Sequence, residues 1–405
     1  MVTVKELQAL LRARGLPVSG RKAVLVERLA IAGVPVPAPG AAPPSSAKAV
    51  ISSSSGSSKS SAIAIPCDPT PLAAATSAAC LRIASWNVAG LRGLLRRESG
   101  VASLRHLADE VDILLLQETK LQTKHVYDVE AELLEVLNRG GGGPSSSSAA
   151  APPWRAAWAS STTTRLGYAG VCTAWTGRRS LGAEVAAAAS CAPLPIDPEH
   201  DADREGRTLL LDLPLSGGRL GVVNVYTPNA GAELRRLAYR TSEDGWDGRF
   251  RAAMLRAQQP SSNGDGDGAG GGDGRGGSTR HLCVGGDFNV AVEDADFFNP
   301  HEKRMAKQAG TTAEERASMR RYSEPPLCMA DAFRHMHPGA RGQYSYWSQR
   351  ARNRPRNRGL RLDYFLLSES VLAAGALRDC QILQALEGSD HCPVVVELEL
   401  GRLLG

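Results

Sequence analysis

Several features that would place the chain in a familiar class are missing. No apolar run reaches the roughly 18 residues a transmembrane helix needs, and Lys5, Glu6, Arg12 and Arg14 interrupt the opening stretch where an apolar signal core would sit. A membrane partner is therefore not expected. The eight cysteines are scattered, with no CxxC pair and no Cys/His cluster at zinc spacing. They read as reduced thiols of an intracellular protein. No basic import cluster or presequence stands out, so compartment is open on these grounds. Residues 33–80 have almost no acid and few large apolar side chains. Such a segment cannot bury enough surface to fold, and it reads as an Ala/Pro/Ser tether. Its Ser-rich character suits a transit peptide, but its place behind a folded-looking unit argues against one.

What is present is a chain of 405 residues, 42% hydrophobic, with a net charge of +5. That length allows one large domain plus an appendage. The mild basic excess permits a polyanionic partner without requiring one. Residues 1–32 form the appendage. Thr3 and Glu6 fit a capping box, Leu7, Leu10 and Leu11 make an apolar stripe, and Gly15 can close a first helix. Ser19 can cap a second helix bearing Leu25 and Leu29, with Lys5, Arg12, Arg14, Arg21, Lys22 and Arg28 around the hairpin. The run from Val2 to Leu29 resembles the SAP module, a small helical DNA-binding motif. That resemblance implies DNA contacts through Arg21 and Lys22.

The main domain is expected over 81–405. Leu81–Trp86 reads as a strand, and Val111–Leu116 as a buried central one. Gly170–Ala174, Arg207–Leu213, Arg219–Tyr226, Leu282–Val284, Leu362–Leu367 and the alternating run from Val394 follow. Many strands with few helices predict two packed sheets flanked by helices. Gly140–Pro153, the Ala-rich region 183–193 and Gln258–Gly277 read as disordered loops between elements.

One feature recurs. A strand ends or begins, and Asn87, Glu118, Tyr226, Asp287, Asn289, Asp363 or the pair Asp390-His391 stands at the junction. One such residue is turn chemistry. The full set, carboxylates with amides and one histidine, suits a hard divalent cation. Glu118 is the best ligand and Asp390 a second or water-mediated one. Asn87, Asp287, Asn289 and His391 complete the set that could reach the ion. Asp287, oriented by Asn289, can activate a water. His391, oriented by Asp363, can hydrogen-bond a phosphate in the transition state. Tyr226 and Asn87 add donors, and Asn229 helps hold the phosphate.

Ser85-Trp86-Asn87-Val88-Ala89-Gly90-Leu91-Arg92, Leu116-Gln117-Glu118-Thr119-Lys120, Gly167-Tyr168-Ala169-Gly170-Val171 and Asn224-Val225-Tyr226-Thr227-Pro228-Asn229-Ala230-Gly231 occur in order. Gly286-Asp287-Phe288-Asn289-Val290-Ala291, Arg361-Leu362-Asp363-Tyr364-Phe365-Leu366-Leu367 and Gly388-Ser389-Asp390-His391-Cys392-Pro393 follow. This ordered set resembles the exonuclease III family of AP endonucleases along nearly all of 81–400. With the SAP-like head, the chain is similar to the plant-type arrangement. The resemblance implies a four-layer α/β sandwich with the site at one end of two sheets. It implies Mg²⁺-dependent cleavage (Mn²⁺ as a substitute) of the phosphodiester 5′ to an abasic site in double-stranded DNA, with 3′-phosphodiesterase or 3′-5′ exonuclease side activity. It also implies a monomer with other base-excision repair proteins as partners, Tyr168 on the DNA-binding face, and a place in the nucleus, or else the plastid or mitochondrion. Another phosphodiesterase of the wider superfamily, acting on a phosphoinositide or sphingomyelin, and a non-catalytic SAP-tethered DNA-binding protein are the alternatives.

Two departures stand out. Some family members carry an acid at the position of Ala89, which cannot coordinate a metal. Between Arg350 and Arg361, six arginines and Pro355 replace a DNA-probing loop with apolar wedges. Arg350 and Leu360 occupy the wedge places, and Arg352, Arg354, Arg356 and Arg358 lie between. The composition predicts a charged loop that meets the phosphate backbone or enters the minor groove.

Overall fold

The computed structural model describes Leu7, Leu11, Leu25 and Leu29 together with residues 80–139, 152–162, 165–196, 204–216, 218–259 and 280–403. The chain divides into two compact units, Met1–Ile63 and Ala64–Gly405. In the first, Leu7, Leu11, Leu25 and Leu29 are helical and fully buried. Spacing of four residues places each pair on one helix face, as the expected hairpin requires. Arg21, Lys22, the tether from 33 to 79, and the insertions at 140–151 and 260–279 lie outside the described residues.

The second unit contains two six-stranded sheets. Sheet one holds β1 (Cys80–Asn87), β2 (Ile113–Gln117), β3 (Arg155–Ala159), β4 (Val171–Trp175), β11 (Leu377–Ile382) and β12 (Val394–Glu399), in the order β11-β12-β1-β2-β4-β3. Sheet two holds β5 (Ser190–Ala192), β6 (Thr208–Leu215), β7 (Gly218–Tyr226), β8 (Arg280–Asp287), β9 (Ala330–Asp331) and β10 (Asp363–Leu367), in the order β5-β6-β7-β8-β10-β9. Each sheet is mixed: β1 runs parallel to β2, and β7 parallel to β8.

The helices are α1 (Leu91–Leu95), α2 (Glu98–Glu110), α3 (Val126–Arg139), α4 (Ala183–Ala188), α5 (Leu237–Thr241), α6 (Trp246–Gln258), α7 (Ala313–Arg320), α8 (Ala332–Met336), α9 (Glu369–Ala373) and α10 (Leu400–Leu403). They are more numerous than the sequence pattern suggests, because five of them have only four or five residues and show no readable period.

Strand alternation sorts the apolar side chains into layers. Leu81, Ile83, Ile113 and Leu115 of sheet one meet Leu211, Val222, Cys283 and Phe365 of sheet two in a central core. Their neighbours Ala84, Trp86, Leu114 and Leu116 face the opposite way, against α1, α2 and α3. Val223, Val225, Leu282 and Val284 pack on α6 through Trp246, Phe250 and Met254. The order is helix, sheet, sheet, helix, the expected four-layer sandwich. Gly285 and Gly286 allow the two sheets and β7 to close on β8. A Cβ at Gly286 would lie 1.9 Å from the Val225 carbonyl oxygen, and one at Gly285 would lie 2.4 Å from the Phe365 ring.

The structure corrects some expectations. The Ala-rich region 183–193 is ordered, as α4 and the edge strand β5. Alanine is the strongest helix former, and β5 is held by pairing with β6 rather than by its own propensity. The strands β3, β9 and β11 also escape the sequence pattern. β3 is mostly alanine, β9 has two residues, and β11 carries Arg378 and Asp379. No helix among the described residues is long and apolar enough to cross a membrane. The seven described cysteines form no disulfide with one another.

Candidate active site

Register brings the polar strand ends together. Tyr226 pairs with Asp287 across β7 and β8, and Asp287 pairs with Asp363 across β8 and β10. In sheet one, Asn87 pairs with Gln117, so Glu118 leaves β2 beside it. Two hydrogen bonds then join the sheets at this end. The Asn87 side-chain amide donates to Asp287 Oδ2 at 2.8 Å, and the Tyr226 hydroxyl donates to Glu118 Oε1 at 2.7 Å. Beneath them the Gln117 amide donates to Asn224 Oδ1 at 2.8 Å. Ala89, Glu118, Lys120 and Asn289 all have φ between 50° and 53°. Non-glycine residues adopt this left-handed conformation at a cost of about 1 kcal/mol or more, and such strain gathers at functional sites.

His391 sits across this edge. Its Nδ1 meets Asp363 Oδ2 at 2.7 Å and its Nε2 lies 3.9 Å from Asp287 Oδ2. All three residues are at most 5% exposed. Their ligand atoms lie within 4.8 Å of one another. Burial disfavours the imidazolium, but the carboxylates of Asp363, Asp287 and Asp390 outweigh it and raise His391 to about 10. Burial, with the Asp363 charge, raises Asp287 to about 7 despite His391 and the amides of Asn87 and Asn289. With Nδ1 engaged by Asp363, Nε2 is the ring atom that faces Asp287.

The remaining candidates are tied to one another by hydrogen bonds. The Asn87 oxygen accepts from the Ala89 N–H at 3.0 Å, and its amide faces Glu118 and Asp287. Asn289 accepts from Asn229 at 2.8 Å and donates to the Thr227 carbonyl at 2.9 Å. These bonds fix the direction of both side-chain amides. Glu118 is held in the same way: its Oε1 accepts from Asn87 and Tyr226, and its Oε2 meets Lys120 at 2.6 Å. Burial raises Glu118, but Lys120, Tyr226 and Asn87 overcome this and hold it below the usual carboxylate range. A low carboxylate pKa keeps the anion a cation needs. Among the described residues, Asp287, Asp363 and His391 form a group that could hold a metal ion.

The flanks carry the proposed DNA contacts. Arg350, Arg352, Arg356 and Arg358 are exposed on the loop before β10. Most of it is irregular, as expected, but Arg354–Arg356 form one 3₁₀ turn with Pro355 inside. Arg354 is tied down instead: it donates to the carbonyls of Ser389, Gln384 and Leu386 and lies 4.8 Å over the Trp347 ring. Leu360 is 7% exposed and packs with Phe297, Met305 and Leu362. It therefore cannot serve as the expected wedge, because its backbone pairs with Phe297 and Tyr346 and turns the side chain inward. Beside it opens a cavity of about 550 Å³ whose lining includes Arg304, Tyr346, Arg356 and Arg358. Tyr168 is half-buried on the other flank, where its hydroxyl accepts from Arg236 at 3.3 Å.

Sequence reasoning missed several participants. Lys120 pairs with Glu118 at 2.6 Å. The Tyr346 ring lies 4.9 Å from His391, while its neighbours Tyr344 and Trp347 are buried with Cys392. Ser389 donates to the Asn87 carbonyl at 2.8 Å, and Trp86 donates to the His391 carbonyl at 3.1 Å. Lys120, two residues from the acid, was the most readable of these. The others emerge only when distant segments meet.

Known proteins share this fold. The Endonuclease/Exonuclease/phosphatase family matches residues 84–391, and the SAP domain matches residues 1–32. An exodeoxyribonuclease of Bacillus subtilis is 30% identical over 319 residues, spanning 78% of this chain and 98% of its own length. The DNA repair nuclease APEX1 of Danio rerio is 31% identical over 328 residues, spanning 79% of this chain and 83% of its own. Among solved structures, the AP endonuclease LMAP from Leishmania major is 29% identical with a TM-score of 0.61, covering 79% of this chain and 88% of that one. The two-sheet scaffold, the carboxylate–histidine edge and these matches together show that the chain belongs to the endonuclease/exonuclease/phosphatase family, among exodeoxyribonuclease and AP endonuclease relatives, and carries a SAP domain ahead of it.

Proposed function

We propose that the protein is a DNA base-excision repair endonuclease that hydrolyses the phosphodiester 5′ to abasic sites in double-stranded DNA. One observation carries this reading: the buried His391, held by Asp363 at 2.7 Å, faces the buried Asp287 carboxylate across 3.9 Å where the strands of both sheets end. Asp287 takes the proton of the attacking water, and the Asn289 N–H, 2.8 Å from Asp287 Oδ1, fixes the carboxylate's direction. His391, kept charged by Asp363, donates to a phosphoryl oxygen as negative charge builds there. Asn229 and Tyr226 hold the neighbouring polar groups in place. A divalent cation such as Mg²⁺ at Glu118 and Asp390 would neutralise charge on the phosphate and the leaving oxygen.

The arginine loop and the cavity beside Tyr346 supply a place for the nucleotide and its backbone. The domain arrangement is a SAP module at 1–32, a tether at 33–79 and the nuclease from Cys80, the first residue of β1, onward. A SAP module joined to a DNA nuclease supports nuclear work, which a fluorescent fusion of the full chain checks against plastid and mitochondrion.

The deciding experiment incubates the chain with a duplex bearing one abasic site. Incision with Mg²⁺ or Mn²⁺, leaving a 3′-hydroxyl and stopping on chelation, is the expected result. An intact duplex alongside turnover of a phosphoinositide would overturn the reading.

A further inference from the structure

Three helices converge on one buried cation behind the Asp287 turn. Arg240 of α5 is 1% exposed, Asp247 of α6 2%, and Glu315 of α7 is fully buried. The Arg240 guanidinium donates to the Asn289 carbonyl at 2.9 Å and to the Phe288 carbonyl next to it. Glu315 meets its charge at 3.2 Å and Asp247 at 3.4 Å. Glu315 also accepts from the Gly310 N–H at 2.7 Å, and the Gly310 carbonyl accepts from the Ala291 N–H at 2.7 Å. One ionic cluster thus grips the segment 288–291 at both ends.

That segment holds a left-handed residue, Asn289, with φ of 50°. The same turn aims the Asn289 N–H at Asp287 Oδ1 and its amide at the Thr227 carbonyl. Stability alone is a weak reason for the cluster, since burying three charges is costly and apolar packing would often serve as well. A planar fork that takes two successive carbonyls is something only arginine provides.

We propose that Arg240 is a positioning residue for hydrolysis: by locking the left-handed turn after β8 it holds Asn289, and through it the Asp287 carboxylate, in line with the attacking water. The inference rests on the proposed nuclease reading. Misplacing a catalytic group by about 1 Å can cost on the order of 100-fold in rate.

The test uses the full chain with R240K, which keeps the charge but cannot span both carbonyls, and E315Q, which loosens Arg240 and Gly310 together. Both are expected to lower kcat, R240K by on the order of 100-fold. KM for the abasic duplex and affinity for uncleaved DNA stay within about threefold, because no DNA-facing group changes. Amide exchange across 287–291 rises about tenfold in R240K, a readout that needs no activity. Wild-type kcat in a folded variant, a loss confined to KM, or unchanged exchange would overturn the clamp. An inactive wild-type chain would instead sink the nuclease reading and leave the exchange result to judge the clamp alone.

Discussion

His391 does different work with each of its atoms. Its backbone carbonyl accepts from Trp86, Nδ1 faces Asp363, and Nε2 is left toward Asp287. The ring is therefore oriented before any ligand arrives. H391A and D287N are each expected to lower kcat by about 10²–10⁴-fold, with DNA affinity little changed, as single-turnover rates on an abasic duplex would show. D363N removes the anion that sustains the imidazolium, so the His391 proton leaves at a lower pH than about 10. Ring resonances of the metal-free protein, followed against pH, check this: an unchanged midpoint would mean another group holds the charge.

At the scale of elements, the loop from Arg350 to Arg358 divides into two kinds of arginine. Arg354 fastens the loop to the 384–389 segment that leads to Asp390 and His391. Arg350, Arg352, Arg356 and Arg358 remain outside. Replacing those four with glutamine should weaken binding to all DNA sequences and flatten its salt dependence, by about 0.9 in log–log slope for each phosphate that is no longer neutralised. R354Q should leave that slope unchanged and slow catalysis by loosening the histidine loop. Binding isotherms at several salt concentrations separate the two. The strand junction makes a separate demand. At Gly286 a Cβ meets the Val225 carbonyl, so G286A should destabilise by up to about 3 kcal/mol, read as a lowered thermal midpoint.

For the whole molecule, buried charge ties the sheets to their flanking helices. Asp296 is fully buried between Arg361 at 2.9 Å and Arg334. Burial pushes its carboxyl up, but the Arg361 guanidinium outweighs this and holds it below the ordinary value. A depressed folded pKa stabilises above the unfolded value and is lost as pH falls through the folded one. D296N should therefore cost about 3–5 kcal/mol at pH 7, with the gap to wild type narrowing as pH falls below about 4, as denaturant titrations would show. Deleting residues 1–32 should weaken DNA binding while sparing the rate of bound complexes. Equal affinity at moderate salt would refute a DNA role for that unit.

The polar strand ends, from Asn87 to His391, were legible in the sequence because each stands beside a strongly apolar run whose period marks a strand. The two-sheet architecture followed from the same runs. Short edge strands and the ordered Ala-rich region were not legible, since β5 and β9 exist by pairing and not by local preference. The sequence alone determined which side chains could do chemistry. Only the tertiary structure decided how those side chains meet: it turned Leu360 inward, set the Asn87 amide against Asp287 and put His391 beside Asp363. Each of those outcomes depends on segments far apart in the chain coming together, such as Asn87 with Asp287 and Arg240 with Asn289, which no local pattern encodes.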